Sequence, residues 1–380
     1  MFKRLYLDGA ATSMPIARCI IDLTPCFGNA SSIYKEGRDA KKIIEKARER
    51  IANKLSCHED EIVFTSGGTE SDNLAIRGVI HQHIKDYPDG FKPHIIASAI
   101  EHKAVLNTLK DLKELNMIDY DLAPVDNNGF VIYDEYCKLF NSRTVLVSIM
   151  MANNEVGTIQ DIQKLSKYAR KRGTLFHTDA VQSFCKLEID LSELKNVDFL
   201  SISGHKISGI KGAGALFIRD YARPAISPII TGGSQESNMR AGTENVMAIE
   251  ALGLSTMVEM DDGLEQKRDQ IIKGIIDAIP TAYLNGPMTA RLPDNINIGF
   301  EGINGEDIVM RLDAKGIAIS AGSACNAGEL SGSHVLMAMG KTKQESLNCV
   351  RITVPNWITH NDISRLINTL KEVIITHEDA

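Results

Sequence analysis

The sequence predicts an α/β protein with a mostly parallel β-sheet covered by helices, followed by a smaller α+β domain. Two observations support this prediction. First, short apolar segments such as residues 93–98 and 144–151 alternate with helical patterns, and near-continuous apolar strands are typical of parallel sheets buried on both faces. Second, this alternation stops after about residue 250, where antiparallel patterns begin. We place the large domain at residues 14–254, and the small domain at residues 1–13 and 255–380.

The composition is typical of an ordinary globular protein, and it favours a small molecule as the substrate. The chain has 380 residues, 43% of them hydrophobic, and 42 basic against 49 acidic residues give a formal net charge of -7. This balance provides no electrostatic reason to expect nucleic acid or an anionic membrane as a partner. We see no apolar stretch of membrane-spanning length and no secretory signal pattern, so we expect a cytoplasmic protein.

The seven cysteines are scattered, odd in number and without a C-x-x-C pair, so neither a disulfide framework nor a zinc site is indicated. Cys325 differs from the others because small residues, including Gly322, Ser323 and Gly328, surround it in what reads as a loop after a strand. A thiol in such a loop suits a mobile nucleophile. The alternative is a small core residue, which is the commoner role of a free cysteine.

The first half of the chain has a candidate anion site. Residues 5–12 read as a short strand that enters a turn, and residues 37–55 read as a helix with one apolar stripe. A strand over residues 61–65 then leads through Ser66-Gly67-Gly68 into a helix that opens at Thr69. Free backbone N–H groups and the helix dipole favour a phosphate at such a turn. Alternatively, Thr69 is a simple N-cap with an acidic first turn.

Polar residues follow several of the predicted strands at the point where each strand ends. They are residues 153–157, residues 177–182 and, after the strand at 197–202, the turn Ser203-Gly204-His205-Lys206. Because the carboxyl ends of parallel strands meet at one edge of a sheet, these residues are expected to form one rim. Lys206 is presented there, and burial and nearby positive charge leave a lysine amine neutral and able to form a Schiff base. We therefore predict that Lys206 carries pyridoxal phosphate (PLP); an ordinary solvated lysine is the alternative.

The same rim supplies the other groups that PLP and an amino acid require. Asp179 provides a carboxylate for the pyridinium nitrogen, although a structural carboxylate is the usual role of a lone aspartate. Arg351 is the candidate for binding the substrate carboxylate, because the guanidinium fork donates two parallel hydrogen bonds to a carboxylate. Further candidates are His102 for stacking on the ring, Gln182 for the ring oxygen, and Gly68, Thr69 and Ser203 for the phosphate.

Seven segments resemble one known family. They are residues 6–12, 65–73, 153–157, 177–182, 203–206, 239–245 and 320–325. In this order and at this spacing they resemble the NifS-like (class I) cysteine desulfurases, which are fold-type-I PLP enzymes of aminotransferase class V. The resemblance covers nearly the whole chain and implies a large domain with a seven-stranded sheet and a small domain that carries the catalytic cysteine loop.

The resemblance also implies a reaction and its residues. Cys325 would take the sulfur of L-cysteine as a persulfide, leave L-alanine, and pass the sulfur to an acceptor or scaffold protein for iron-sulfur clusters or other thio-cofactors. Lys206 and His102 would move protons, and Asn154 and Arg351 would contact the substrate. The implied cofactor-binding residues are Gly68, Thr69, His102, Asn154, Asp179, Gln182, Ser203, Gly204, His205, Lys206 and Thr243. Thr243 is expected to reach the phosphate of the other subunit of a homodimer. No resident metal is implied, although Cys325 could be a transient iron-sulfur ligand.

The chain departs from the family pattern at a few positions. The segment between Thr12 and Phe27 is short, and Tyr34, Ile210 and Pro355 replace the usual residues. None of these changes removes a catalytic group. Three alternatives stay open: a selenocysteine lyase, an aminotransferase on the same fold, and a non-catalytic homologue that serves as an assembly subunit.

Overall fold

The computed structural model describes residues 4–15, 26–321 and 332–378. The strands are β1 (Leu5–Tyr6), β2 (Ile62–Thr65), β3 (His94–Ser98), β4 (Asp119–Ala123), β5 (Thr144–Ser148), β6 (Leu175–Asp179), β7 (Phe199–Ser203), β8 (Gly214–Ile218), β9 (Ala282–Leu284), β10 (Asn295–Phe300), β11 (Ile317–Ala318), β12 (Ser320–Ala321) and β13 (Cys349–Thr353). The helices are α1 (Lys35–Leu55), α2 (Gly68–Asp86), α3 (Lys103–Glu114), α4 (Tyr133–Lys138), α5 (Ile162–Lys171), α6 (Val246–Ser255), α7 (Leu264–Ala278), α8 (Gly305–Ala314), α9 (His334–Ala338), α10 (Lys343–Leu347) and α11 (His360–Glu378).

The main sheet has seven strands in the order β2-β8-β7-β6-β5-β3-β4, which confirms the predicted α/β class with a mostly parallel sheet. Neighbouring strands from β7 to β4 pair in parallel, whereas β8 runs antiparallel to both β7 and β2. The carboxyl ends of β3, β5, β6 and β7 therefore lie along one edge of the sheet, where ligands of such folds collect.

The strands are apolar because both faces of the sheet are covered by helices. Consecutive residues alternate between two cores: Phe199 and Leu216 pack with α2 and α3, whereas Leu200 and Phe217 pack with α1 and α6. All four side chains are nearly inaccessible to solvent. Period-2 alternation of a strand buried on both sides produces this continuous apolar run, as the sequence pattern predicted.

A second, smaller sheet is antiparallel and has the order β12-β13-β10-β9. Its core packs the apolar faces of α7, α8 and α11 against β10 and β13. The N-terminal strand β1 pairs in parallel with β11, so Leu5 and Leu7 belong to this second core. The division at residues 254 and 255 stays a prediction and falls at the end of α6.

One alternative that the sequence left open is wrong. Helix α2 begins at Gly68 with Gly67 at the N-cap position and without a side-chain capping bond, so Thr69 is not the N-cap. No helix in the described part of the chain combines the length and apolar character of a membrane span.

Candidate active site

A cavity of about 330 Å³ lies at the carboxyl edge of the main sheet. Its walls come from the ends of β6 and β7, the N-terminus of α2, and the segments that follow β3 and β5. The second sheet closes it with Arg351 of β13, and Ala10 with Ala11 adds a further wall. The sequence-predicted residues that line it are Gly68, Thr69, His102, Asn154, Asp179, Gln182, Ser203, His205, Lys206 and Arg351.

Lys206 ends a short 3-10 helix, Gly204–Lys206, that directly follows β7. Gly204 turns the chain there: its N–H donates to the carbonyl of Ala213 at 3.0 Å, and its carbonyl accepts from Gly209. The Lys206 Nζ donates to the carbonyls of Ala10 at 2.6 Å and Ala11 at 2.8 Å. The ammonium group therefore lies at the cavity wall and not in bulk water.

Asp179 is the last residue of β6 and is 6% exposed. Its Oδ1 accepts from the Val181 N–H at 2.8 Å, which orients the carboxyl group. Burial raises the pKa of Asp179 to about 6, against the opposing effects of that N–H and of Lys206. A carboxylate in this environment is stabilised by any cation placed beside it, such as a protonated ring nitrogen.

Two further buried acids lie near Asp179. Burial, together with the charge of Asp179, raises the pKa of Asp72 well above its ordinary value. Burial raises the pKa of Glu101 to about 8, although its Oε1 accepts from Ser98 and from the Met150 N–H at 2.9 Å. Asp72 and Asp179 both line the cavity, and the charge of an ionised Asp179 favours a cationic ligand atom there.

The N-terminus of α2 also lines the cavity. Its first N–H groups have no partners within the helix and suit a phosphate. Gly68 is needed for close packing, since a Cβ there would lie 2.6 Å from Cγ2 of Val181. The Ser203 Oγ is buried and has no hydrogen-bond partner among the described residues. His205 contacts Thr12 through Nδ1 at 3.2 Å, and burial and Lys206 lower the pKa of His205 to about 4.

His102 and Gln182 also line the cavity. His102 is the N-cap of α3, and its Nδ1 accepts from the Ala104 N–H at 3.1 Å, so the proton of the neutral ring is on Nε2. Burial, followed by Lys206, lowers the pKa of His102 to about 4, which keeps the ring neutral at pH 7. Gln182 donates through Nε2 to the carbonyl of Ala10 at 3.0 Å, while its Oε1 is buried without a partner in the described chain.

Arg351 is 4% exposed and links the two sheets. Its Nη2 donates to Asp8 Oδ1 at 2.9 Å, and its Nη1 donates to the carbonyl of Asn154 at 3.1 Å. The Nε is buried and has no partner within residues 4–15, 26–321 and 332–378. The contacts with Asp8 and Asn154 hold the guanidinium at the cavity wall. Its remaining donor capacity can bind a carboxylate there.

The aminotransferase class-V family matches residues 5–366 of the chain. The chain belongs to the class-V aminotransferase family. Its relatives include the cysteine desulfurase IscS of Dictyoglomus turgidum, which is 42% identical over 98% of this chain and 95% of the relative. The resemblance to the NifS-like cysteine desulfurases is thereby confirmed.

Solved structures agree with this membership of the class-V aminotransferases. A NifS-like protein superposes with a TM-score of 0.89 at 33% identity and covers 98% of this chain and 100% of its own. SspA in complex with cysteine superposes with a TM-score of 0.83 at 34% identity and covers 93% of this chain and 100% of its own. The match extends over both sheets.

Some sequence-predicted residues do not line the cavity of this member of the class-V aminotransferase family. Gly204 shapes the turn behind Lys206, and Thr243 is exposed away from the cavity, so its proposed contact with a second subunit stays a prediction. Cys325 and its loop lie outside the described residues.

Several residues that line the cavity escaped the sequence reasoning. Asp72 is three positions after Thr69 in α2, a spacing that could have indicated it. Glu155 also lines the cavity; the predicted rim included it within residues 153–157 but gave it no role. His334 lines the cavity too, and no sequence signal placed it beside Lys206, because it reaches the site through tertiary packing.

Proposed function

We propose that this chain is a PLP-dependent cysteine desulfurase that converts L-cysteine into L-alanine and transfers the sulfur to Cys325 as a persulfide. One observation carries the proposal: the Lys206 amine, the buried Asp179 carboxyl and the Arg351 guanidinium share one cavity. An amine that forms a Schiff base, a partner for a ring nitrogen and a fixed cation for a carboxylate are the groups that amino-acid chemistry on PLP requires. Membership of the desulfurase family selects the reaction.

The residues present fit PLP. The Gln182 Oε1 and the Ser203 Oγ are both buried without partners in the described chain, and a buried polar atom normally has one. A ring oxygen near Gln182 and a phosphate near Ser203 and the α2 N-terminus would satisfy them. Asp179 would pair with the ring nitrogen, and the neutral ring of His102 would stack on the cofactor. When bound, PLP supplies an electron sink for the negative charge that develops at the substrate α-carbon.

The side chains of this protein then bind the substrate and move its protons. Lys206 would hold the cofactor through Nζ, and the released amine would take the proton from the substrate α-carbon. The carboxyl of Asp179, fixed by the Val181 N–H, would hold the positive charge at the ring nitrogen. Arg351 would orient the substrate carboxylate, because its guanidinium is already held by Asp8 and Asn154.

The Arg351→Lys variant is expected to lose substrate affinity. A lysine cannot bridge Asp8 and Asn154 while binding a carboxylate, and charge-assisted hydrogen bonds contribute about 1.5–3 kcal/mol each. The KM for L-cysteine should rise by roughly 10- to 100-fold, with a smaller change in kcat. Steady-state kinetics with Arg172→Lys, an exposed arginine outside the cavity, as the control would measure this. An unchanged KM would assign the substrate carboxylate to another cation.

The Cys325→Ser variant tests the sulfur transfer. A hydroxyl is a far weaker nucleophile than a thiolate at neutral pH, so the enzyme-bound persulfide should disappear and sulfide release should fall by about 100-fold or more. Intact-protein mass spectrometry after exposure to L-cysteine measures the added sulfur, and Cys137→Ser is the matched control. A Cys325→Ser protein with full turnover of L-cysteine would instead support an aminotransferase.

The partners and the compartment are part of the proposal. A homodimer in which Thr243 reaches the phosphate of the other subunit accounts for the exposed position of this residue in the single chain. The persulfide requires an acceptor or scaffold protein, and iron-sulfur cluster assembly is the use that relatives named IscS suggest. We place the enzyme in the cytoplasm, because a nucleophilic thiol must be regenerated in a reducing compartment.

A further inference from the structure

His334 is a cavity residue that the proposed mechanism does not use. It is the first residue of α9 and lines the cavity that contains Lys206. Its Nε2 lies 2.9 Å from the carbonyl oxygen of Glu101. Because a carbonyl oxygen can only accept, Nε2 must be the protonated nitrogen. In the neutral ring Nδ1 is then the acceptor, and none of the described residues forms a hydrogen bond to it. The hydrogen bond to Glu101 thus fixes the tautomer of the neutral ring, with Nδ1 as its acceptor.

Charged groups from three elements surround His334. Burial raises the pKa of the buried Glu155, whereas the Ser333 hydroxyl and the positive charges of His334, Arg351 of β13 and Lys103 of α3 act in the opposite direction. The Ser333 hydroxyl, the N-cap of α9, donates to Glu155 Oε2 and connects this acid to the start of the helix. His102 also faces His334 and has its pKa lowered to about 4 by burial and by positive neighbours, including His334. A positive charge on His334 and the ionised form of Glu155 therefore stabilise each other.

The position of the substrate follows from the two groups already assigned. The α-carboxylate binds Arg351, and the α-amine is directed to the site of Lys206. These two contacts leave the thiol of L-cysteine unassigned, and residues 332–334, His102 and Lys103 also line the cavity. His334 thus belongs to the same site as the groups assigned to the amine and the carboxylate, and it is available to the thiol.

We propose that the Nδ1 of His334 accepts the proton of the substrate thiol before the sulfur is transferred. The S–H bond breaks and an N–H bond forms, the electron pair of the broken bond stays on sulfur, and no oxidant or reductant is needed. The product is a substrate thiolate next to an imidazolium that still donates through Nε2 to the Glu101 carbonyl. This inference rests on the proposed desulfurase function and assigns it one further catalytic residue.

The test compares two substrates that differ in the acidity of one group. In His334→Gln the side-chain amide can still donate to the Glu101 carbonyl, but it cannot accept a proton. The kcat/KM for L-cysteine should fall by about 100-fold or more, which is typical for loss of an acid–base group. The kcat/KM for L-selenocysteine, whose selenol is already ionised at neutral pH, should fall by no more than about 3-fold. Equal losses with both substrates, or no loss with either, would overturn the proposal.

Control measurements separate a folding defect from a chemical one. Met337→Leu changes an exposed residue of the same helix outside the cavity and should match the wild type with both substrates. If His334→Gln folds poorly, His334→Ala with added imidazole replaces it, and restored turnover of L-cysteine supports the proposal whereas absent rescue in a folded protein contradicts it.

A binding measurement provides a readout other than turnover. The holoenzyme is titrated with 3-mercaptopropionate, which has a thiol and a carboxylate but no amine, and the ultraviolet absorption of the bound thiolate is recorded. The thiolate band should appear with wild type and be absent with His334→Gln; equal bands would contradict the assignment. A wild-type protein that does not desulfurate L-cysteine would overturn the proposed function itself, whereas an active wild type with an unaffected variant would overturn only the role of His334.

Discussion

Replacing Lys206 with alanine is expected to abolish turnover of L-cysteine, with kcat reduced by roughly 10⁴-fold or more. The variant loses both the covalent attachment point of the cofactor and the amine that takes the α-proton, and each role is worth a large part of such a rate enhancement. Alanine and sulfide formation measure the turnover. The near-ultraviolet-to-blue absorption of the purified protein should change in parallel, because the chromophore depends on the bond to Nζ.

Two further variants make this result specific. Lys211→Ala removes an exposed lysine from the same loop and should leave both absorption and turnover unchanged. Lys206→Arg keeps the positive charge near the carbonyls of Ala10 and Ala11 and should be as inactive as the alanine variant, because a guanidinium does not form the Schiff base. Substantial turnover in either Lys206 variant would contradict the proposal that this cavity carries out PLP chemistry.

The main sheet could be predicted from the sequence where its strands are buried on both faces. Residues 197–202 read as a strand because Phe199 and Leu200 supply apolar side chains to opposite cores, and the structure has β7 there. Strand β4 was missed because it lies at the edge of the sheet, where Asp119 and Asp121 alternate with half-buried or exposed neighbours. An edge strand has less apolar surface to bury, so its pattern is weak.

The active site likewise contains residues that the sequence predicts and residues that it does not. Asp179 and Lys206 were predictable because each follows an apolar strand of a parallel sheet, and the topology then brings such positions to one edge. His334 was not predictable in this way, because its place in the cavity depends on how α9 packs against the segments after β3 and β5. Periodicity predicts elements and their ends, whereas contacts between distant segments require the folded chain.

The buried acids explain why a catalytic site of this kind is costly for the fold. Asp72, Glu101 and Asp179 are each at most 6% exposed, and burial raises the pKa of all three. Ionising them inside the protein is less favourable than ionising them in the unfolded chain, so the cofactor-free protein loses stability as pH rises through their native pKa values. A cationic ligand atom in the cavity would offset this effect.

The Asp179→Asn variant is expected to be nearly inactive and, without cofactor, more stable than the wild type at pH 8. The amide oxygen can still accept from the Val181 N–H, but it cannot hold a proton on the ring nitrogen, so kcat should fall by roughly 10³-fold. For stability, the native pKa of about 6 lies above the ordinary value of 3.8, so the native state binds more protons than the unfolded state between these values. The wild-type free energy of unfolding therefore decreases as pH rises from about 4 to about 6, and the variant lacks this decrease.

Thermal unfolding of the cofactor-free proteins at several pH values checks this expectation. The variant should gain on the order of 1 kcal/mol or more over the wild type at pH 8, and the gain should shrink toward zero below about pH 3, where Asp179 is protonated in both states. Asp89→Asn, an exposed aspartate, is the control and should unfold like the wild type at every pH. An active Asp179→Asn enzyme would show that another group holds the ring nitrogen. A variant less stable than the wild type at pH 8 would show that the Asp179 carboxylate is already neutralised within the protein, most directly by Lys206, whose charge opposes the rise in the pKa of Asp179.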